Sequence, residues 1–258
     1  MGSMKGKQTK IDAAFTERMT EPTSFLRKDG QMKGYIEEPS LFGHGFVVGF
    51  GDDEFCVKEI DRTTANELIV KNHYSKKFYA ATYIHLGVYI DRKLVGVLQY
   101  GYAMNPASCE SVVNDTKIDE YLELNRMWLD DAAPKNSESK AISYSIKYIK
   151  RKYPKIKWIQ SFADERCGKF GIVYQAANFK YYGEHTAIFW TLEGVVYHNS
   201  RMTRHDSKAG PASEYLRANK SRATSEKLRQ FRYLYFIDKR AEKKVVLKER
   251  GFEKWYKQ

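Results

Sequence analysis

Hydrophobic and polar residues alternate along several short segments of this chain, a pattern typical of β-strands with one buried face. The clearest example is "IHLGVYIDRKLVGVLQYGY" (84–102), which predicts a hairpin with its turn at 91–93. Leu86, Val88 and Ile90 fall on one face of its first strand. Other segments with strand patterns are 42–60 (a second hairpin), 121–129, 156–162, 179–184, 187–192 and 231–237.

Helical periodicity appears between these strands. Within 137–154, isoleucines recur at i, i+4 and i+7, which predicts an amphipathic helix. Thr64, followed three residues later by Glu67, predicts a capping box for an earlier helix that ends near Asn72. A third, short helix is expected to stop at Asn178, because Asn tolerates the left-handed backbone of a helix end. This order of elements predicts a mixed sheet with helices on both faces, an α/β (α+β) domain.

The composition fits one domain with extensions. The chain has 258 residues, of which 42% are hydrophobic, enough for a sizeable core. Residues 1–35 are expected to form a flexible arm, since they are polar and lack periodicity; 1–3 precede a second methionine and are interpreted as a cloning remnant. A main domain at 36–200 and a basic extension at 201–258 that packs on it complete the predicted organisation.

Positive charge is concentrated near the C-terminus. The net charge is +12, and 201–258 carry seventeen Lys and Arg against seven Asp and Glu. Aromatic residues are interleaved with these charges in "QFRYLYFIDKR" and "FEKWYKQ". Cations neutralise phosphates and aromatic rings stack on bases, so a nucleic-acid surface is favoured over a merely solvated basic face. The expected nucleic-acid contacts are Arg201, Arg204, Lys208, Arg222 and Arg229.

Three cysteines make neither a disulfide framework nor a paired metal knuckle, which favours a reducing cytoplasm. The sequence has no signal-peptide pattern and no apolar run of membrane-spanning length. In the arm, "QTKIDAAF" (8–15) is similar to the peptide that binds sliding clamps, although Ala14 stands where that peptide has an aromatic residue. A sliding clamp is therefore a candidate partner, with a chance match as the alternative.

Candidate chemistry centres on His73, Tyr74 and Asp164. His73 and Tyr74 follow the first predicted helix, and Asp164 lies just past a predicted strand, where active sites of open sheets gather. An imidazole and a carboxylate belong to the ligand set that holds ferrous iron, and the Tyr74 phenol would add an oxygen. A structural role is the alternative for His73. His85 is a rival ligand, but alternation places it on the face opposite Leu86.

Arg126 alternates onto the face of Leu122 and Leu124, so partial burial is expected. A guanidinium in that position needs an anionic partner, either a substrate phosphate or Asp164, with an internal salt bridge as an equal alternative. Glu123 alternates onto the other face and is interpreted as structural.

The segment "YQAANF" (174–179) resembles the Y-x-x-x-G-F motif of the acyl-CoA-binding acetyltransferase superfamily, the GNAT fold. In that motif the tyrosine protonates a leaving thiolate and the glycine ends the helix. The resemblance implies that Tyr174 is the acid and that Asn178 takes the place of the glycine.

A second segment, "NSESKA" (136–141), stands where that superfamily binds a pyrophosphate on backbone N–H groups at a helix start. The resemblance implies that Asn136, Ser137 and Ser139 bind the cofactor. Ser139 replaces a glycine and Glu138 adds a negative charge, so acyl-CoA is in doubt as the donor.

A narrower resemblance, to the Mom family of phage proteins, covers most of the chain beyond Ile60. It rests on the order and spacing of the segments 71–101, 122–146, 158–184 and 231–240. Members of that family convert adenine in phage DNA to N6-(carbamoylmethyl)adenine and protect the DNA from host restriction. They share the GNAT fold and are associated with iron.

The Mom resemblance implies double-stranded DNA as the substrate and the cytoplasm of an infected host cell as the location. It also implies Fe(II), because the family's His-Tyr pair and "FADER" aspartate match His73, Tyr74 and Asp164. The expected catalytic residues are Tyr74, Arg126, Asp164 and Tyr174.

Two other functions stay open. One is an acyl-CoA-dependent N-acyltransferase acting on RNA, protein or a small amine, and the other is a non-catalytic nucleic-acid-binding module. Acyl transfer would leave an acetyl group on adenine N6, whereas the Mom product bonds N6 to a methylene carbon. Chemistry at N6 in a duplex is expected to require a flipped base. Tyrosines that could stack such a base are Tyr79, Tyr83, Tyr100 and Tyr102.

Overall fold

The computed structural model describes residues 34–39, 45–168, 170–203 and 210–250, so the clamp-like segment at 8–15 lies outside the described residues. The strands are β1 (Tyr35–Glu38), β2 (Phe46–Gly51), β3 (Phe55–Glu59), β4 (Thr82–Ile90), β5 (Lys93–Gly101), β6 (Tyr121–Leu129), β7 (Trp158–Asp164), β8 (Lys180–Leu192), β9 (Val195–His198) and β10 (Thr224–Phe236). The helices are α1 (Arg62–Asn72), α2 (Ser137–Lys152), α3 (Ile172–Ala176), α4 (Ser200–Thr203), α5 (Gly210–Ala218) and α6 (Lys239–Glu242). None of these helices is long and apolar enough to cross a membrane.

These strands form a single sheet in the order β1-β2-β3-β4-β5-β6-β7-β10-β8-β9. β6 and β7 run parallel, and their connection is α2, whereas the other neighbouring strands pair antiparallel. The predicted fold class, a mixed sheet flanked by helices, is confirmed.

β6 and β7 separate partway along their length. They pair only where Tyr121, Leu122 and Glu123 face Trp158, Ile159 and Gln160. Beyond that point β6 stays paired with β5 and β7 with β10, while the two parallel strands no longer pair with each other. The sheet is therefore open between them at their carboxyl ends, which forms a cleft through its middle.

β10 comes from the predicted basic extension but occupies the interior of the sheet. It pairs with β7 on one side, from Gln230 opposite Asp164 to Phe236 opposite Trp158. It pairs with β8 on the other side. The predicted strand at 231–237 is thus confirmed, and it is longer than its pattern indicated. The boundary proposed at residue 200 separates segments that share one sheet.

The predictions of individual turns, helix caps and strand limits were only partly correct. The hairpin turn is confirmed: Asp91 and Arg92 both have positive φ angles, of 48° and 65°. The capping box is wrong, since α1 begins earlier and Asp61 is its N-cap, accepting the N–H of Thr64 at 2.9 Å. The segments 179–184 and 187–192 form one continuous strand, β8, rather than two.

Two helices cover opposite faces of the sheet. α2 packs on the face that carries Tyr100, Leu122 and Leu124, here called the α2 face. α1 packs on the other, where Ala65 and Ile69 contact Val97, here called the α1 face. The three α2 isoleucines that the sequence pattern placed in the core are buried, as expected.

Candidate active site

Asp164 is the last residue of β7 and lies at the open end of the cleft, on the α1 face. It is 6% exposed. Its carboxylate accepts hydrogen bonds from three groups of Arg166: the backbone N–H at 3.1 Å, Nε at 3.3 Å and Nη2 at 2.6 Å. Arg166 stands two residues further along the same tight turn, so this contact is local and holds the carboxylate in one orientation.

His73 caps the C-terminus of α1 and is 7% exposed. Its Nδ1 accepts the backbone N–H of Ser75 at 3.1 Å and lies 2.8 Å from the Ser75 hydroxyl. Burial, followed by the charges of Arg126 and Lys76, lowers the pKa of His73 to about 4. The imidazole is therefore neutral at physiological pH, the form that can bind a metal or accept a proton.

Tyr74 joins these two residues. Its ring centroid lies 4.3 Å from that of His73, and its hydroxyl donates to Asp164 Oδ2 across 3.5 Å. Burial and the neighbouring carboxylate raise the pKa of Tyr74, so the phenol stays protonated. The residue is nevertheless 53% exposed. The structure thus brings together the three side chains singled out from the sequence.

These three residues match an iron site only in part. One imidazole, one carboxylate and one phenol lie side by side, but the carboxylate is already neutralised by Arg166. Within the described residues, no three or more His, Cys, Asp and Glu side chains form a metal-binding group. His85, the rival ligand, lies 3.3 Å from Gln99 instead. No chemical step is therefore assigned to iron.

Arg126 occupies a different face from the one predicted. The register shifts within β6, so that Gln99 pairs with Arg126 whereas Tyr100 pairs with Leu124. Because this bulge adds a residue, Arg126 points to the α1 face rather than joining Leu122 and Leu124. Among the described residues, Arg126 has neither Asp164 nor another carboxylate as an ion-pair partner; its guanidinium donates instead to the carbonyls of Lys77 (3.3 Å) and Asn125 (2.6 Å).

A second carboxylate, Glu123, also faces the cleft from the α1 side. It accepts the side-chain amides of Gln160 at 2.8 Å and Asn125 at 2.9 Å. Burial raises the pKa of Glu123, opposed by these hydrogen bonds and by Arg126 and Arg232. Sequence alternation placed Glu123 on this face but assigned it no chemistry, because its partner Gln160 comes from another strand.

Both amides that serve Glu123 are left with buried carbonyl oxygens, Gln160 Oε1 and Asn125 Oδ1, that have no partner among the described residues. Rotating either amide would point its oxygen at the carboxylate, so the donors are fixed by Glu123. These oxygens could accept N–H groups from a ligand in the cleft.

Tyr174 approaches the cleft from the opposite side. It lies in α3 on the α2 face, with its ring 5.4 Å from that of Tyr233 and 5.8 Å from that of Phe179. Burial raises the pKa of Tyr174, and a hydrogen bond with Ser161 opposes the shift. Asn178 ends this segment with a φ of 65°, which confirms the predicted left-handed stop.

A second cleft, distinct from the one between β6 and β7, lies at the start of α2 and has a volume of about 480 Å³. It is lined by the residues that were predicted to bind a cofactor, Asn136, Ser137 and Ser139. Asn136 has a φ of 71° and makes no side-chain cap. Lys135 and Lys140 line the same cleft, as does Ala176 of α3. This cleft therefore adjoins the helix that carries Tyr174.

The residues predicted to stack a flipped base differ in exposure. Tyr100 is fully buried beside Ser145, so that prediction is wrong for Tyr100. Tyr83 and Tyr102 lie against each other, with ring centroids 5.1 Å apart. Tyr79 lies under Arg126 in the cleft, 5.9 Å from its guanidinium.

The predicted phosphate contacts have other neighbours in the folded chain. Arg229 makes hydrogen bonds to Glu165 through its backbone N–H, Nε and Nη2, at 2.7, 2.9 and 2.6 Å. Arg222 pairs with Glu193, and Arg201 is exposed. Arg204 and Lys208 lie outside the described residues. A role for these five cations in binding DNA stays a prediction.

A sheet that opens between two parallel strands, with polar groups on one side and a tyrosine on the other, has the architecture of a group-transfer enzyme. The chain belongs to the Mom protein family, whose pattern it matches over residues 54–254. It is 49% identical over 204 residues to methylcarbamoylase mom of Escherichia phage Mu, a match that covers 79% of this chain and 84% of that protein. The predicted family is confirmed.

Solved structures similar to this chain include acetyltransferases. A ribosomal-protein-S5-alanine acetyltransferase from Vibrio fischeri is 13% identical, with a TM-score of 0.42 over 74% of this chain and 97% of that chain. An N-acetyltransferase from Staphylococcus aureus is also 13% identical, with a TM-score of 0.40 over 70% of this chain and 98% of that chain. At this level the likeness carries no argument about chemistry.

Proposed function

We propose that this chain transfers a carbamoylmethyl group to N6 of adenine in double-stranded phage DNA, in the host cytoplasm, and so protects the DNA from restriction. The observation that carries the proposal is the 49% identity to methylcarbamoylase mom over 79% of the chain. The grouping of His73, Tyr74 and Asp164 at one end of the cleft supports it.

The acceptor adenine is assigned to the α1 face. Adenine N6 is a poor nucleophile because its lone pair is delocalised into the ring, so a base must take a proton as the new bond forms. Glu123 suits this role better than His73, since burial raises the pKa of the first and lowers that of the second. Asp164, held by Arg166, and the Tyr74 hydroxyl would position the base edge.

The donor is assigned to the α2 face, where Tyr174 would protonate the leaving group. Glu123 is near enough to Tyr174 for its charge to raise the pKa of that phenol, and the pairing of β6 with β7 ends at Glu123, so the reacting atoms would meet where the parallel strands part. In-line transfer needs acceptor and leaving group on opposite sides of the methylene carbon, which two opposed faces provide.

Mass spectrometry of nucleosides from DNA of cells that express this chain tests the proposal. The expected result is N6-(carbamoylmethyl)adenine in the wild type and about a hundredfold less or lower with Glu123→Gln or Asp164→Asn. Unmodified adenine throughout, from a folded and expressed wild type, would refute it.

One observation favours an alternative, an acyl-CoA-dependent N-acyltransferase. The cleft of about 480 Å³ at Asn136, Ser137 and Ser139 has two lysines in its wall, as a pyrophosphate site would require. Glu138 in the first turn of α2 opposes an anion there. Release of free thiol from acetyl-CoA, together with N6-acetyladenine or an acetylated amine, would favour the alternative.

Iron remains a prediction for His73, Tyr74 and Asp164. Both oxygens of the Asp164 carboxylate accept from Arg166, and each keeps a further lone pair that could bind a metal. Metal analysis of anaerobically purified wild type, His73→Ala and Asp164→Ala measures this directly. A contact between segment 8–15 and a sliding clamp also remains a prediction.

A further inference from the structure

A paired adenine cannot reach Glu123 or Asp164 while it remains in the duplex. It must leave the base stack, and the gap costs unstacking and unpairing energy unless a protein group fills it. This inference rests on the proposed function, because it concerns how the acceptor enters the cleft.

The loop at 75–80 connects Tyr74 to β4 beside the cleft. Phe78 lies on this loop and is 51% exposed, whereas the adjacent Tyr79 turns inward beneath Arg126. Tyr74 on the same segment is also exposed, as is Val196, whose carbonyl accepts from Lys77. Exposed apolar side chains that group in this way beside polar residues mark an interaction surface.

The loop that carries Phe78 is anchored to the body of the protein at several points. Arg126 Nε donates to the carbonyl of Lys77 at 3.3 Å, and Arg62 Nη2 donates to that of Ala80 at 2.9 Å. The hydroxyl of Thr82 donates to the carbonyl of Tyr79 at 2.9 Å. Phe78 is therefore presented from a fixed backbone, which lowers the entropy cost of inserting it into a partner.

The charge around Phe78 suits a phosphate backbone. Lys76 and Lys77 precede it and are both exposed. Their ammonium groups donate to the backbone carbonyls of Lys71 and Val196, and within the part of the chain that the structure describes neither ammonium forms an ion pair with a carboxylate. Cations next to an apolar side chain match a base step with its adjoining phosphates.

We propose that Phe78 is a wedge that enters the DNA base stack and takes the place of the flipped adenine, while Lys76 and Lys77 hold the adjoining phosphates. The contact between Lys77 and Val196 places β9 on the other side of the loop. The duplex would then lie across the α1 face, with the flipped base entering beside Tyr74.

The test compares duplexes that differ only in the cost of flipping. Binding of purified protein is measured by fluorescence anisotropy at fixed salt, with adenine either paired to thymine or opposite an abasic site. Phe78→Ala should weaken binding to the paired duplex by about tenfold or more and to the abasic duplex by much less. Phe78→Leu should behave as wild type, because it keeps an apolar wedge.

Phe46→Ala is the matched control. Phe46 has a similar exposure of 44% but lies on β2, away from the cleft, so its loss should change neither affinity. Lys76→Gln should weaken both duplexes alike and flatten the salt dependence by about one phosphate contact. Equal losses on the two duplexes for Phe78→Ala, or no loss on either, would overturn the wedge.

Modified adenine in DNA from expressing cells is the second readout. Phe78→Ala should lower the modified fraction by about tenfold or more, while Phe78→Leu and Phe46→Ala leave it within a few-fold of wild type. If wild-type cells contain no modified adenine, the proposed function fails, and the anisotropy comparison still decides the wedge.

Discussion

The two faces of the sheet near the cleft carry different kinds of side chain. On the α1 face, charged groups are held by hydrogen bonds, as in the pairs Asp164–Arg166 and Glu123–Gln160. On the α2 face, Tyr174 sits among aromatic rings, with Tyr233 against it. The first face can orient and deprotonate a polar acceptor, and the second keeps a phenol protonated by excluding water from it.

The proposed role of a side chain near the cleft therefore depends on which face of the sheet it occupies, and not on its neighbours in the sequence. Gln160 and Ser161 are adjacent in β7, yet Gln160 donates to Glu123 on one face, whereas Ser161 opposes the rise in the pKa of Tyr174 on the other. If this separation serves the reaction, substitutions on the α1 face should impair the handling of the acceptor adenine, and substitutions on the α2 face should impair the handling of the donor.

The largest effect is expected from Tyr174→Phe on the α2 face, which removes only a hydroxyl. As a general acid, Tyr174 should account for about 10²–10⁴-fold in turnover, while affinity for DNA stays unchanged. Quantitative nucleoside mass spectrometry and a DNA-binding assay measure the two. Tyr235→Phe, on the same face, is the control. Unaltered turnover in Tyr174→Phe would reduce this residue to packing and remove the two-face comparison.

A somewhat smaller effect is expected from Asp164→Asn on the α1 face. Loss of the charge leaves Arg166 without its partner and should cost about 10²–10³-fold in turnover, typical of a lost electrostatic contact in a site. DNA affinity should persist, because the residues proposed to bind phosphates lie elsewhere. Glu165→Gln alters the adjacent carboxylate, which pairs with Arg229, and should retain most activity. Equal losses in both variants would indicate a general disturbance of the turn.

His73 should make the α1 face acid-sensitive. Its pKa is about 4 in the folded protein and 6.5 when unperturbed, so between these values only the unfolded chain binds the proton. The free energy of unfolding should therefore fall as pH drops from 6.5 towards 4, by at most about 3 kcal/mol. Urea unfolding at several pH values measures this slope. His73→Gln should flatten it, leaving the part due to other buried histidines; an identical slope would contradict the assignment.

The smallest effect concerns Asn178, which joins the Tyr174 helix to β8. At a φ of 65°, Asn178→Ala should destabilise the protein by about 1–2 kcal/mol, whereas Asn178→Gly should be neutral or slightly stabilising. Thermal unfolding decides between these outcomes. A stable Ala variant with lost activity would show that the Asn side chain itself serves the donor side.

Structural features that are determined by neighbouring residues could be predicted from the sequence, whereas features that depend on distant segments could not. The turn at Asp91 and the stop at Asn178 depend on neighbouring residues, and both were correct. Arg126 was assigned to the wrong face, because simple alternation assumes an uninterrupted ladder and the bulge in β6 is set by β5. The α1 cap was misplaced because Asp61 and Thr64 are both good caps within one short segment.

The candidate site shows the same limit. His73, Tyr74 and Asp164 were found from family motifs, and their proximity is a tertiary result. The hydrogen bonds of Glu123 to Gln160 could not be predicted, because they arise from the parallel pairing of β6 with β7. Pairing of this kind joins residues that no local pattern relates.

The interior position of β10 has a consequence for how the protein is made. β7 and β8 leave the ribosome well before Thr224–Phe236, yet neither can complete its pairing until that strand arrives between them. Sheet closure must therefore wait for late synthesis, and such long-range pairing folds slowly. Until then the edge that ends in Asp164 stays open to other strands, including those of neighbouring nascent chains. The active site at Asp164 can therefore reach its final form only in chains that have been synthesised at least as far as Phe236.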